Sequence, residues 1–265
     1  MFPVNIVSGL AALYIIIRAV FPSHFGWAVK IPIIIILVAA AMKFQLIHLL
    51  GGPQFFAPKI PGFVTAVAGV LYISVYILFF LLLIKDLVYL PCFLFGVRFS
   101  QGYINLALTA IALSIGLLGL YNALKAPYVK EYKVCLPNLP SEAKGLRVAV
   151  VADIHADRLT KKRTVDKIVE LTLSAKPDVI VMPGDFADGE VEDVGQELTP
   201  LKKLQAPLGV FAVSGNHEYY NGWEDWKPYL ESLSLPILEN ENKEVVKGLF
   251  KIGRASCRER VLLSG

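Results

Sequence analysis

Hydrophobic and polar positions divide this chain into two parts with different patterns. Residues 63–84 form 22 consecutive positions without a charge, and residues 104–124 form 21. As a helix, each run is long enough to cross a hydrocarbon core of about 30 Å. Residues 4–20 and 31–50 are also apolar, although Arg18 closes the first and Lys43 and His48 fall inside the second. The pattern predicts an α-helical membrane bundle over residues 1–124, with four transmembrane helices near 4–20, 31–50, 63–84 and 104–124. No acidic residue lies within these four segments, so Arg18 and Lys43 are expected to snorkel at helix ends or pack inside the bundle, not to mark an ion pathway. The first segment lacks a basic stretch before its apolar run and a small-residue cleavage site, so an uncleaved anchor is expected. Residues 87–99 carry Pro91 and four aromatics, which suits an interfacial connector better than a fifth span.

From residue 125 onward the pattern changes. A linker over 125–145 holds Pro127, Pro137 and Pro140. Short apolar runs then follow at 146–152, 179–182 and 209–213, separated by helical spacing at 164–175 and 198–205, with a further helix expected over 223–233. Strands alternating with helices predict an α/β domain in which helices flank a sheet. Residues 244–250 read as another strand.

Composition sharpens this division. The chain is 55% hydrophobic and 18% charged, with a mean hydropathy of +0.56, more apolar than one water-soluble domain requires. Residues 1–124 hold Arg18, Lys30, Lys43, Lys59, Lys85 and Arg98 against the single acid Asp86. The net charge of +4 therefore belongs to the flanks of apolar segments. That excludes a single globular domain, a disordered chain and a nucleic-acid binder with a basic face. The lipid bilayer is the expected partner of the first half. The positive flank of the first helix places its following loop in the cytoplasm and residue 125 onward outside, as in a multi-pass protein of a bacterial inner or plasma membrane.

Each apolar run of the second half ends in residues able to bind metal: Asp153-Ile154-His155, then Gly184-Asp185, then Gly215-Asn216-His217-Glu218. In an α/β sheet, strand ends on one edge share a crevice, so three distant stretches converge. Two residues apart on extended backbone, Asp153 and His155 point to the same side and can grip one ion. Asp185 has two oxygens and can bridge two ions, and Asn216 offers a neutral oxygen. Gly184 and Gly215 allow turns that larger residues resist. His217 is placed to touch a phosphoryl oxygen or protonate a leaving group. Singly, each residue reads as a cap, a turn or a surface histidine; three clusters at successive strand ends do not. Asp188 reads better as a residue orienting the loop than as a ligand, and Glu218 is left without a firm role. Lys161-Lys162-Arg163 reads as a solvated helix start, and Tyr219, Tyr220, Trp223 and Trp226 as packing beside the site.

The series Asp153-x-His155, Gly184-Asp185 and Gly215-Asn216-His217-Glu218 resembles the calcineurin-like metallophosphoesterase family, in its membrane-anchored form. The resemblance covers roughly residues 145–250. It implies a four-layered αββα fold and two divalent metal ions, manganese, iron or zinc. By matching position, Asp153 and His155 would bind the first ion, Asp185 would bridge, Asn216 would bind the second, and His217 would act on the phosphate. It also implies hydrolysis of a phosphomonoester, phosphodiester or pyrophosphate, with a phosphate-ester substrate that a membrane anchor would favour as lipid-linked. A catalytically silent membrane sensor or scaffold keeping the same fold is the competing expectation, and a transporter is disfavoured by the lack of paired charges within the spans.

The family pattern continues with later histidines, including Gly-His-x-His, yet the four histidines here are His24, His48, His155 and His217. Residues 252–261 translate ATC GGA AGA GCG TCG TGT AGG GAA AGA GTG, the reading of a widely used sequencing adapter. The expectation is therefore a natural sequence represented only to about Phe250, with 252–265 non-native and 146–251 the first part of a longer catalytic domain. Cys257 belongs to that tail, and Cys92 and Cys135 support neither a disulfide nor a metal cluster.

Overall fold

The computed structural model describes residues 2–51, 58–96, 100–135, 144–246, 250–253 and 262–264. It comprises two units, residues 1–125 and 126–265.

The first unit is helical. α1 (Phe2–Ile15) runs into a π-helical turn (Ile16–Val20), followed by α2 (Trp27–Ala41), α3 (Lys43–Gly51), α4 (Gly62–Leu94) and α5 (Gln101–Leu124). Two of these, α4 and α5, are long and apolar enough to cross a membrane. The expected span at 31–50 is broken: α2 and α3 meet at Met42 with a bend of 77°, and count as a third span only if taken together. The expected first span forms a shorter apolar helix, Asn5–Val20. Among the described residues, helix length and composition support two spans, or three if the bent pair is one, and the expected four are not confirmed.

Helix α4 extends past the apolar run, so the connector expected at 87–99 is helical through Leu94; residues 97–99 lie outside the described residues. Its interior pairs small residues with large ones. Ala11, Ala40 and Ala112 pack with Ile15, Val75, Leu78 and Leu82. Small side chains let helix backbones approach, which is how apolar helices gain contact where lipid removes the hydrophobic drive. At Gly116 an added Cβ would stand 2.7 Å from Ser74 Oγ and 3.2 Å from the Val70 carbonyl. The outward side chains are apolar, with Leu10, Ile35, Phe80 and Leu117 all more than half exposed, a surface that suits lipid better than water.

One expectation about this half is corrected. Arg18 does have an acidic partner: its Nε and Nη2 donate to Asp86 at 2.6 and 2.9 Å. Tyr14 Oη donates to the same carboxylate at 2.6 Å. Asp86 lies just beyond the third apolar run, and the packing of α1 on α4 brings it level with Arg18.

In the second unit, β1 (Val148–Val150), β2 (Val179–Met182) and β3 (Val210–Ala212) form a parallel sheet in that order. Between them lie α6 (Lys162–Ser174), α7 (Val191–Val194) and a 3-10 helix (Gly195–Lys203). Val179 and Val181 face one side of the sheet, with Phe211, Val213 and Leu238. Ile180 and Met182 point to the other, and all four β2 residues are buried. A central strand buried on both faces reads as an unbroken apolar run, which is why 179–182 was legible. On α6, Val165, Val169 and Thr172 share one buried stripe. Two short helices follow the sheet, α8 (Asn216–Tyr220) and α9 (Trp223–Ser232).

The single strand expected at 244–250 is instead the start of a second, antiparallel sheet of β4 (Asn242–Val246), β5 (Phe250–Gly253) and β6 (Leu262–Ser264). Two strands separated by 247–249 replace the one run. Of the segment read as adapter, residues 254–261 lie outside the described residues. A parallel sheet flanked by helices is thus present; the expected four-layered αββα arrangement is not established by these elements.

Candidate metal centre

The three polar clusters follow the carboxyl ends of β1, β2 and β3, and backbone pairing continues beyond the strands to bind them together. His155 N–H donates to the Asp185 carbonyl at 3.0 Å and Ala156 N–H to the Phe186 carbonyl at 2.8 Å. The loops turn sharply: Asp153, His155 and Asp185 take φ of 54°, 46° and 56°. Non-glycine residues in this left-handed region are uncommon and concentrate at functional sites. Gly184 has φ 96°, and a Cβ there would lie 2.1 Å from the Gly215 nitrogen, so only glycine lets the second and third loops touch.

Glu218 fastens this junction. It is fully buried. Its Oε1 accepts N–H from Phe186 at 2.6 Å and Ala187 at 3.3 Å, and its Oε2 accepts from Gly215 at 2.7 Å and Asp185 at 3.0 Å. Burial pushes the Glu218 carboxyl above its ordinary range, while the four amide hydrogen bonds pull it partly back. This role was missed in the sequence. The available signal was its place three residues after Gly215, where a glutamate accepts the N-cap N–H of a helix.

Within this frame His155, Asp185 and His217 bring ligand atoms within 4.8 Å of one another. Asp185 Oδ1 also accepts the His217 backbone N–H at 3.0 Å. The two imidazole rings lie 4.5 Å apart, nearly perpendicular. Asp188 serves both: its Oδ1 is 2.7 Å from His155 Nδ1 and 2.6 Å from His217 Nδ1. A carboxylate oxygen only accepts, so each ring carries its hydrogen on Nδ1 and presents Nε2 to any ligand. Asp188 therefore orients the histidines, a different role from the loop-orienting one expected for it. Burial alone would lower the His155 pKa, but the hydrogen bond to Asp188 and the charges of Asp188, Asp185 and Asp153 outweigh it, and the net direction is upward.

Asp153 begins the first loop and Asn216 begins α8; both are exposed. The charge of Asp153 reaches His155, but its carboxylate is not in the converging set of His155, Asp185 and His217. The donor set fits a divalent cation. Imidazole and carboxylate suit manganese, iron and zinc, and a histidine ligand whose second nitrogen donates to a carboxylate is the usual outer support of such a site.

The aromatic group divides: Trp226 is buried and Trp223 half-buried, whereas Tyr219 and Tyr220 are exposed. Trp226 is fully buried with Nε1 on the Gly189 carbonyl, Trp223 Nε1 bonds Glu239, and Tyr219 bonds Ser214. Tyr220 is exposed, with its ring 5.8 Å from that of His217. Lys161 and the Lys162 backbone N–H are engaged by Glu197 at the start of α6.

The sheet edge gathers histidines and a carboxylate that could hold a metal ion, and the similarity to known proteins points to a class for such a site. Residues 146–260 match the family model described as calcineurin-like phosphoesterase. Over that stretch, the greater part of the second unit, the chain is similar to calcineurin-like phosphoesterases. An uncharacterised metallophosphoesterase of Helicobacter pylori is 38% identical over 123 residues, 46% of this chain and 32% of that protein. A transmembrane protein with metallophosphoesterase domain from Danio rerio is 30% identical over 150 residues, 56% of this chain and 34% of that protein. The UDP-2,3-diacylglucosamine pyrophosphatase LpxG of Chlamydia muridarum is 36% identical over 85 residues, 32% of this chain and 26% of that protein. The chain thus spans between 26% and 50% of the length of the relatives it matches, and no solved structure matches it. These relatives come from animals as well as bacteria, so they give no support to a bacterial origin.

Proposed function

We propose that this protein is a membrane-anchored, metal-dependent phosphoesterase that cleaves a phosphomonoester, phosphodiester or pyrophosphate bond. The observation that carries the proposal is the convergence of His155, Asp185 and His217 at one sheet edge, with Asp188 holding both rings. Asp153 and His155 would hold a first ion, Asp185 would be shared with a second, and Asn216 would supply the second with a neutral oxygen. Two divalent ions held there would lower the pKa of a bound water and offset charge on the phosphoryl oxygens. His217, its Nδ1 committed to Asp188, is the residue we assign to act on the phosphate through Nε2. Glu218 keeps the Asp185 and Gly215 loops in register, so the donors stay placed between turnovers.

The apolar helices of the first unit support anchoring, and the relatives named as transmembrane proteins support it further. The anchor and the named activity of LpxG favour a lipid-linked phosphate or pyrophosphate substrate. Positive flanks of the first helix favour a catalytic unit on the extracytoplasmic side. The test is turnover by the purified full-length protein in detergent, stripped of metal and reloaded with manganese, iron or zinc. Phosphomonoester, phosphodiester and acylated sugar-nucleotide substrates are offered in turn. Metal-restored hydrolysis of at least one is expected, and absence of hydrolysis with every metal and substrate refutes the reading.

A further inference from the structure

Three rings stand in a row at the candidate metal centre. Those of His155 and His217 lie 4.5 Å apart at 83°, and that of Tyr220 follows at 5.8 Å from His217, tilted by 58°. Residues three and four apart are neighbours on a helix surface, so α8 sets Tyr220 beside both His217 and Asn216.

Tyr220 is the ring whose place is not explained by folding. His155 and His217 are held by Asp188, and Tyr219 bonds Ser214 and rests against the Trp223 ring. Tyr220 is 68% exposed and makes no hydrogen bond among the described residues; its ring contact is with His217. Packing accounts for the buried Trp226, but not for a large ring left open to solvent beside the residue assigned to the phosphate. With two side-chain torsions, a tyrosine offers a broad, rigid face at little entropic cost when a ligand settles on it.

The surroundings select what settles there. An acyl chain gains in proportion to the apolar area it buries, and the residues flanking Tyr220 on α8 include the polar Asn216, His217 and Asn221. A flat ring needs only one aromatic face, because stacking on a single side chain already contributes to affinity. The Tyr220 ring lies one ring's breadth beyond that of His217, so a group stacked on it is set back from a phosphate at His217 by about the width of a sugar. That is the place of the base in a nucleotide. We propose that Tyr220 is a specificity-determining residue that stacks the base of a nucleoside phosphate or nucleoside diphosphate ester whose phosphate lies at His217. This rests on the phosphoesterase reading and narrows its substrate to one that carries a nucleoside.

The full-length protein, purified in nonionic detergent and loaded with manganese, is dialysed to equilibrium against inorganic phosphate, ribose 5-phosphate, uridine 5′-phosphate or adenosine 5′-phosphate, and intact bound ligand is counted by chromatography. At least one nucleotide is expected to bind at least about fivefold more tightly than ribose 5-phosphate, the low end of what one base–aromatic stack supplies. Tyr220→Trp should keep the preference. Tyr220→Ala and Tyr220→Leu, the second of which keeps bulk without a flat face, should bring nucleotide affinity down to that of ribose 5-phosphate. Binding of phosphate and ribose 5-phosphate with no gain for either nucleotide overturns the proposal and leaves the phosphoesterase reading standing. So does a preference that survives in both Tyr220→Ala and Tyr220→Leu, or a lower melting temperature in both with the preference intact, which would make the ring a packing residue. Failure of the wild type to bind phosphate or any of the esters refutes the phosphoesterase reading and this proposal with it.

Discussion

Replacing Glu218 by glutamine tests how the candidate site is held together. The substitution keeps the side-chain volume, so no cavity forms and the effect is confined to hydrogen bonding. The native carboxylate accepts two N–H groups on each oxygen, from Phe186 and Ala187 on one and from Asp185 and Gly215 on the other. A glutamine must turn its NH2 toward one of these pairs, losing two hydrogen bonds and setting donors against donors in a fully buried place. Hydrogen bonds to a charged group are worth about 1.5 to 3 kcal/mol each, and the Ala187 contact at 3.3 Å is the weakest of the four. Rotating the amide toward the Phe186 and Ala187 side is therefore the cheaper choice, and the expected cost is about 3 to 5 kcal/mol. Against a domain stability of roughly 5 to 15 kcal/mol this is a large fraction. Urea unfolding in detergent micelles, followed by tryptophan fluorescence, measures it, since Trp226 is fully buried beside this region with its Nε1 bonded to Gly189. A lower midpoint at unchanged slope is expected. A loss below about 1 kcal/mol would refute the claim that Glu218 fastens the loops.

Four further outcomes follow from the same geometry. Asp188→Asn weakens the shared acceptor of His155 and His217, and should cut turnover or metal affinity by about 10- to 100-fold while the unfolding midpoint stays near that of the wild type; unchanged kinetics and metal content would show that the rings need no such support. The His155 pKa is raised above 6.5, so in metal-free protein its stabilising contribution is complete below 6.5 and is lost as pH rises through the raised value; the difference in stability between wild type and His155→Gln should shrink over that window, and metal affinity should grow across it as the competing proton leaves. Gly184→Ala adds a Cβ 2.1 Å from the Gly215 nitrogen at φ 96° and should cost at least about 2 kcal/mol, readable as a fall in melting temperature. Asp86→Ala leaves Arg18 and Lys85 unpaired among apolar helices and should lower the resistance of the first unit to detergent unfolding by about 3 to 5 kcal/mol, whereas removing exposed Glu131, paired with Arg147 at 3.4 Å, should change little.

The catalytic half was legible because its chemistry follows its strands. An apolar run buried on both faces is recognisable without a partner, and a polar cluster just after it must stand at the sheet's edge. Asp185 and His217 were placed by that argument alone, and His155 joins them in space. What spacing could not reveal was Glu218 as an anchor. A glutamate after Asn-His on a short helix looks solvent-facing until the second and third loops are folded together and their amides point at one carboxylate. Asp188 was seen as an orienting residue, but not as the acceptor of two histidines, because one of them comes from a loop 29 residues away. The second sheet escaped for another reason: the strand-like run 244–250 joins the end of β4 to the start of β5, and β5 pairs antiparallel with β4 before it and β6 after it.

The apolar half shows the opposite difficulty. Hydropathy finds α4 and α5 because length in residues converts directly to thickness, about 1.5 Å each against a layer of about 30 Å. It does not find the break at Met42, where the apolar pattern runs through a bend of 77°. Nor does it pair charges. Arg18 and Asp86 are 68 residues apart, and Asp86 sits two residues beyond the end of the third apolar run, so a search confined to the runs themselves finds a lone arginine. Helix packing resolves this, because α4 continues for ten residues past Ile84 and carries Lys85 and Asp86 with it against α1. Asp86, just past the third apolar run, is thereby part of the bundle and shared by Arg18, Lys85 and Tyr14.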